Sequence, residues 1–467
     1  MEKITSITSK SQSAATAIFR SYAELYAEGK SLRHKRPRHS HAEWKPPQNR
    51  PDPLFLLKES SKGRIPELLP IRYGRMMQSP FTFYRGAALN MAADLAVTPI
   101  TGLRVQACGD AHLCNFGVYA TPERRVIFDI NDLDETLPAP WEWDVKRLTA
   151  SFVLACRSNG FKKDDARDTA LSCVRSYRVS MAEFSQMSVL EVWYASTELE
   201  KIIASVKDKE DQARIQKSVA KAHSQNAEHV YPELVGTDGS TPKIKDNPPL
   251  IYHLREHKDQ SLAEVFRKGF AEYRKSLPEH RGILLDRFKI MDISLKVVGV
   301  GSVGTACGLL LFMANETDPL FLQIKEAQAS VLEPYAGKSR YANHGQRVVH
   351  GCHLMQSASD LFLGWSEGFG RHFYVRQLKD MKIKPSVEVY TQVEMEQYAE
   401  YCGRTLARAH ARSGEPVQMT GYMGKTDAFD EAVADFSVAY ADQSERDHDM
   451  LKKAVRAGKL EIATEAA

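Results

Sequence analysis

The segment from Arg104 to Glu135 constrains the fold of this chain more than any other. It reads as a short strand from Arg104 to Ala107, a tight loop Gly109-Asp110-Ala111-His112-Leu113-Cys114-Asn115, and a second strand from Val126 that runs into Asp129, Asp132, Asp134 and Glu135. An aspartate followed five residues later by an asparagine can turn one carboxylate toward a substrate hydroxyl while the amide oxygen reaches a metal ion. Four acids within seven residues repel one another unless a cation neutralises them, and such hard oxygen ligands suit Mg²⁺. Asp110 is therefore a candidate general base, and His112 beside it a second catalytic candidate, a metal ligand or a structural hydrogen-bonder. Asn115, Asp129, Asp132 and Asp134 are the candidate metal ligands. Taken alone, the acidic run would be a turn of helix caps and salt bridges. Its position 17 residues after Asn115 (132 − 115) favours the metal site.

A second signal lies far downstream. Gly299-Val300-Gly301-Ser302-Val303-Gly304 separates two apolar, β-branched stretches, and glycines at such a turn let backbone N–H groups approach phosphate oxygens. No Gly-Lys-Ser/Thr follows, so this is not a Walker loop. The strand-like Leu322-Gln323-Ile324-Lys325-Glu326-Ala327 carries one lysine roughly twenty residues on, placed as a strand lysine that meets phosphates would be. Residues 293 to 325 read as three antiparallel strands. A helix at about Asn343 to Ser357 follows, then a hairpin of Leu361 to Trp365 with His372 to Gln377, and an amphipathic helix from about Glu394 to Arg412. Gly299, Gly301, Ser302, Gly304, Lys325 and Arg376 are the candidate nucleotide-binding residues.

At 467 residues, with 43% hydrophobic and 26% charged side chains, the chain is long enough for several folding units with a cleft between them. A net charge of +4 is too small at this length to imply a nucleic-acid protein, and no stretch approaches the ~18 apolar residues of a membrane span. The polar start and the seven scattered cysteines, none in a C-x-x-C pair, point to a cytoplasmic, soluble protein without disulfides or a zinc finger. Residues 1–70 form an N-terminal extension with a basic, proline-rich arm near 30 to 53, expected to be extended and solvated. Residues 71–160 carry the catalytic and metal loops, where Arg72, Arg75 and Arg85 either hold an anion or brace carboxylates. Residues 161–290, with polar helices such as Ala166 to Met187 and Glu198 to Ala227 and a loop from Gly236 to Pro249, are expected to be a helical insertion or cap. Residues 291–385 form the nucleotide-binding unit, and 386–467 return as helices of the larger one.

These residues also carry two resemblances. Arg75-Met76, Ser79-Pro80-Phe81, Arg85-Gly86-Ala87, Gly109 to Gly117, Phe128 to Asp132 and Tyr440-Ala441-Asp442-Gln443 resemble the uncharacterised bacterial family called domain of unknown function 2252, over roughly residues 50 to 455. More distantly, the Asp110/Asn115 loop is similar to the Gly-Asp-x-x-x-x-Asn loop of aminoglycoside phosphotransferases and choline kinases. That likeness implies Asp110 as proton acceptor, Asn115 on metal and Asp132 as first choice for the metal carboxylate, with Trp143-Asp144-Val145 matching a further aspartate of those enzymes. In an ordinary kinase the glycine loop and lysine precede the catalytic loop, whereas here they follow it. Residues Tyr401 to His410 resemble the helix that comes before that loop. The resemblance therefore implies an α+β, protein-kinase-like, two-lobed fold that is circularly permuted, with a mostly helical larger lobe and a small antiparallel-sheet nucleotide lobe. The helix after Lys325 has no glutamate, which leaves Glu326, Glu333 or nothing as the lysine's partner.

The expected function is phosphoryl transfer from ATP with Mg²⁺ to a hydroxyl or amine of a small-molecule or protein acceptor, without nucleic acid or membrane. Three alternatives use the same residues: transfer of AMP to protein, nucleotide binding without turnover, and a metal-dependent hydrolase built on Asp110, His112, Asp129 and Asp132.

Overall fold

The computed structural model describes residues 19–205, 212, 227–238, 241–253, 260–297, 299–301, 303–378, 381–383 and 385–463. It is an α+β protein whose sheets are antiparallel throughout.

The apolar runs around Gly299 become the centre of a six-stranded sheet. Its order is Gly364–Gly368, Arg371–Gln377, Pro319–Ala327, Cys307–Met313, Lys289–Lys296 and Ile251–Tyr252. The central strands are apolar on both faces because both are covered. Leu309, Leu311 and Phe321 pack with Val235, Ile244 and Ile251 on one side. Leu310, Phe312, Leu320 and Leu322 pack on the other with Tyr273, Leu277 and Leu285. Tyr273 comes from helix Gln260–Ser276, Leu285 from helix Glu279–Leu285 and Leu277 from the link between them, so this part of the expected cap is a cover for the sheet.

The helical body is built around Trp141–Ser158, in which every residue from Trp141 to Cys156 is buried. Around it lie Lys163–Phe184, Gln392–Ala411 and Ala428–Arg456. A capping box of Thr391 and Glu394 starts the second of these. The floor of the body is a hairpin of Phe116–Ala120 and Val126–Ile130, flanked by Lys382–Ile383 and Thr197–Glu198, beside a two-stranded ribbon of Arg104–Ala107 with Leu137–Pro140.

Several expectations are corrected. Helix Lys163–Phe184 is part of the body rather than a solvent-facing cap: Ala166, Thr169, Ala170, Cys173, Val174 and Tyr177 are buried in it. Thr197–Glu198 is a strand, a helix covers Leu199–Ser205, and most of the remainder of the helix expected to Ala227 lies outside the described residues. Gly236 to Pro249 is not all loop, because Val235–Asp238 pairs with Thr241–Ile244. The basic arm is braced by the body. Arg33 donates to Tyr422 O at 2.8 Å and Gly421 O at 2.6 Å, Arg38 donates to Met423 O at 2.8 Å, and Arg50 bridges Asp94 and Asp447. Among the described residues no helix is long and apolar enough to cross a membrane.

Candidate active site

The loop after strand Arg104–Ala107 is fixed before any ligand arrives. Gly109 has φ +81°, and a Cβ there would sit 2.3 Å from the Glu135 carbonyl oxygen, so only glycine fits. Asp144, from the first turn of helix Trp141–Ser158, accepts the N–H groups of Cys108 at 2.5 Å and Gly109 at 3.0 Å, and its carboxylate lies 3.1 Å from His410 Nε2. Leu113 N–H donates to Ser151 Oγ at 3.0 Å, and the Asn115 amide donates to the Asp110 carbonyl at 2.8 Å.

The loop presents Asp110 to a cleft. Its carboxylate accepts Arg147 Nε at 2.6 Å and keeps 19% of its surface open. Burial raises its pKa to about 6 although Arg147 opposes the rise. His112 Nε2 stands 3.9 Å from Asp110, and burial holds its imidazole well below the ordinary range, so it is neutral at physiological pH.

The acids divide by role. Asp129 is wholly buried and fully engaged: its carboxylate accepts Ser357 N at 2.7 Å, Ser357 Oγ at 2.6 Å and Arg408 Nη2 at 2.5 Å. It is absent from the cleft lining and acts as a brace between strand and helices. Asp134 accepts Lys325 Nζ at 2.7 Å and the Tyr374 hydroxyl. Asp132 lies 3.6 Å from Lys325, and its Oδ1 is buried with no hydrogen-bond partner. Burial would raise the Asp132 pKa, but Lys325 and Arg376 together hold it below the usual carboxylate range. Burial and the charge of Asp132 push Asp134 upward.

Lys325 is buried and its pKa is held high, burial being outweighed by Asp132 and Asp134. The lysine's partners are therefore Asp132 and Asp134 of the acidic loop, not Glu326 or Glu333. Glu326 instead pairs with Arg371 at 2.6 Å and accepts Ala306 N–H at 2.8 Å. The helix that follows, His344–Met355, contributes Arg347, which donates to the Asp134 and Thr136 carbonyls at 2.8 and 2.7 Å.

The glycine turn meets the same cleft. Gly299 and Gly301 line it together with Asp110, His112, Asn115, Asp132 and Asp134, in a volume of about 950 Å³ that includes the solvent-filled mouth. Gly304, at φ +88°, directs the chain against Arg64, and its carbonyl accepts Ile65 N–H at 2.7 Å. Ser302 lies outside the described residues. Arg376 donates to Asn131 O at 3.2 Å and to Gln323 Oε1 at 3.3 Å, and lines a second cavity with Tyr374 and Gln377.

Among the described residues no three His, Cys, Asp or Glu side chains form a metal site by themselves. Mg²⁺ does not require one, since it commonly takes one or two protein ligands and completes its shell with phosphate oxygens and water. The orphaned Asp132 Oδ1 and Asn115, both on the cleft, fit that arrangement, and Asp134 adjoins them.

The family model DUF2252, described as an uncharacterized protein conserved in bacteria, matches residues 64–454. The chain belongs to this family. Its matched span holds every candidate site residue from Asp110 to Arg376. No curated protein and no solved structure matches the chain.

Sequence reasoning counted Glu135 among the four acids without giving it a role, and it did not single out Arg147, Arg64, Tyr374 or Arg347. Arg147 could have been found: it stands three residues after Asp144 on one helix, so both face the same loop. Glu135, raised to about 7 by burial, lines the cleft and accepts Val331 N–H at 2.8 Å. Tyr374 and Arg347 come from distant strands and helices, and no local pattern marks them.

Proposed function

We propose that this protein is an ATP- and Mg²⁺-dependent phosphotransferase of kinase-like, circularly permuted, two-lobed design, acting on a hydroxyl or amine of its acceptor. One observation carries the reading: Asp110, Asn115 and Asp132 share a single cleft with Gly299 and Gly301, which follow them by well over a hundred residues. The permutation draws support from helix Gln392–Ala411, which packs beside the strand leading into the Asp110 loop and supplies His410 to Asp144.

Asp110, ionised at neutral pH and held by Arg147, takes the proton of the acceptor O–H or N–H. The acceptor atom bonds to the γ-phosphorus as the bond to the bridging oxygen breaks, and ADP departs with that electron pair. Asn115 and Asp132 hold the metal, which supplies neutralisation of the charge on the phosphates when bound. Lys325 keeps Asp132 ionised, and backbone N–H groups of the glycine turn face the phosphates.

The test is incubation of the purified protein with Mg-ATP and a panel of hydroxyl and amine acceptors, reading ADP release and product mass. The reading expects phosphate added to product and turnover lost in Asp110→Ala by a factor on the order of 10² to 10⁴. Unchanged turnover in that variant would overturn it, and AMP on protein would redirect it to nucleotidyl transfer.

A further inference from the structure

Three arginines line the cleft, Arg64, Arg72 and Arg85, and none of them is in direct contact with the acids that line it too. Arg72 is 1% exposed, and its Nη1 donates to Ser61 Oγ at 2.7 Å while Nη2 donates to Ser60 Oγ at 3.1 Å and Gly86 O at 2.9 Å. Its Nε is buried without a partner. Arg64 donates to Ser60 O at 2.8 Å and Val303 O at 2.6 Å. Arg85 sits over the Phe81 ring, and its Nε is likewise buried and unpartnered. Among the described residues none of the three makes an ion pair. Elsewhere Arg50, Arg147, Arg178 and Arg408 are each paired with aspartates.

Arg72 is withdrawn from water without an ion pair of its own, which is costly for a guanidinium, and Arg64 beside it adds repulsion. Such an arrangement is tolerated where an arriving anion completes it. The cleft sets these three forks beside the glycine turn, which together offer more donors than the two oxygens of a carboxylate can accept. A tetrahedral phosphoryl group has the oxygens to match. The acids Asp110, Asp132 and Asp134 in the same cleft repel a bare anion, and a phosphate shared with a cation meets both sets of charges.

We infer that Arg64, Arg72 and Arg85 form a phosphoryl-binding clamp in the cleft. The clamp takes a phosphate carried either by the nucleotide or by the acceptor, and it rests on the phosphotransferase reading for which of those molecules brings it. Arg72 is built into the surrounding fold through Ser60, Ser61 and Gly86, so the cleft-side groups of Arg64 and Arg85 are the ones to alter.

The experiment is calorimetric titration of the full chain with pyrophosphate in the presence of Mg²⁺, with Mg²⁺ alone as the blank, for wild type, Arg85→Gln and Arg64→Gln, with thermal melts as a fold control. The clamp predicts binding to wild type and a loss of at least about tenfold in each variant, in keeping with the removal of one charged hydrogen-bonding group. If a glutamine variant does not fold, Arg85→Lys and Arg64→Lys, which keep charge and lose the fork, are read the same way. A repeat with saturating Mg-ADP separates the sources: displaced pyrophosphate assigns the clamp to the nucleotide, and undiminished binding assigns it to a phosphorylated acceptor. No binding to wild type, or equal binding in the variants, overturns the clamp. Pyrophosphate binding that persists in a protein with no ATP turnover would sink the phosphotransferase reading and leave the clamp standing.

Discussion

Lys325 Nζ lies 2.7 Å from Asp134 Oδ2 although 191 residues separate them in the chain. This contact joins the sheet to the acidic loop below it, and Asp132 sits 3.6 Å from the same ammonium. The lysine thus belongs to the acidic loop as much as to the sheet.

Replacing Lys325 with Met leaves two carboxylates without their cation. Loss of one partner of a buried pair costs roughly 3–5 kcal/mol, and the low end applies because the side chains of Asp134 and Asp132 keep 26% and 32% of their surface. Denaturant unfolding should show that loss, and Lys325→Met combined with Asp134→Asn should cost less than the two singly added. Additive costs would mean that the pair is not coupled.

The rate should depend on the charge of Asp110. A general base works unprotonated, so kcat/KM should rise with pH to a plateau above about 6. Arg147 stabilises the carboxylate, so Arg147→Gln should move that limb to higher pH. A limb that stays in place or moves lower would contradict the assignment.

Asp132 and Asp129 should separate cleanly. In Asp132→Ala the extra thermal stability conferred by Mg-ADP over ADP alone should vanish. Asp129→Asn should keep that increment and lower the melting temperature itself, because Arg408 loses its counter-charge and one of the two accepting oxygens becomes an NH₂ donor. The reverse pattern would exchange their roles.

Gly109→Ala forces a side chain into positive φ and against the Glu135 carbonyl. Stability should fall by at least roughly 1–3 kcal/mol in denaturant unfolding. An unchanged unfolding midpoint would show that the loop is not held as described.

How much of this was legible in the sequence follows from how local each signal is. The Asp110 to Asn115 spacing is set within one loop, and the strands around Gly299 are marked by their apolar runs, so both were readable. Helix Lys163–Phe184 reads as solvated because Ala, Thr, Ser and Cys fill much of its buried face, and their small side chains leave little hydropathy signal. The basic arm looks free because the carbonyls that Arg33 and Arg38 cap lie nearly four hundred residues away. Asp129 and Asp132 are alike as letters. Only the packing of Arg408 and Ser357 around one, and the orphaned oxygen of the other, tells them apart.

The central claim is that the acidic loops and the glycine turn close on one triphosphate, and a crystal structure with a non-hydrolysable ATP analogue and Mg²⁺ tests it most directly. The account predicts metal density on Asp132 and Asn115, with the phosphates between them and the turn at Gly299 to Gly301. A nucleotide bound elsewhere, or none at saturating concentration, would contradict it.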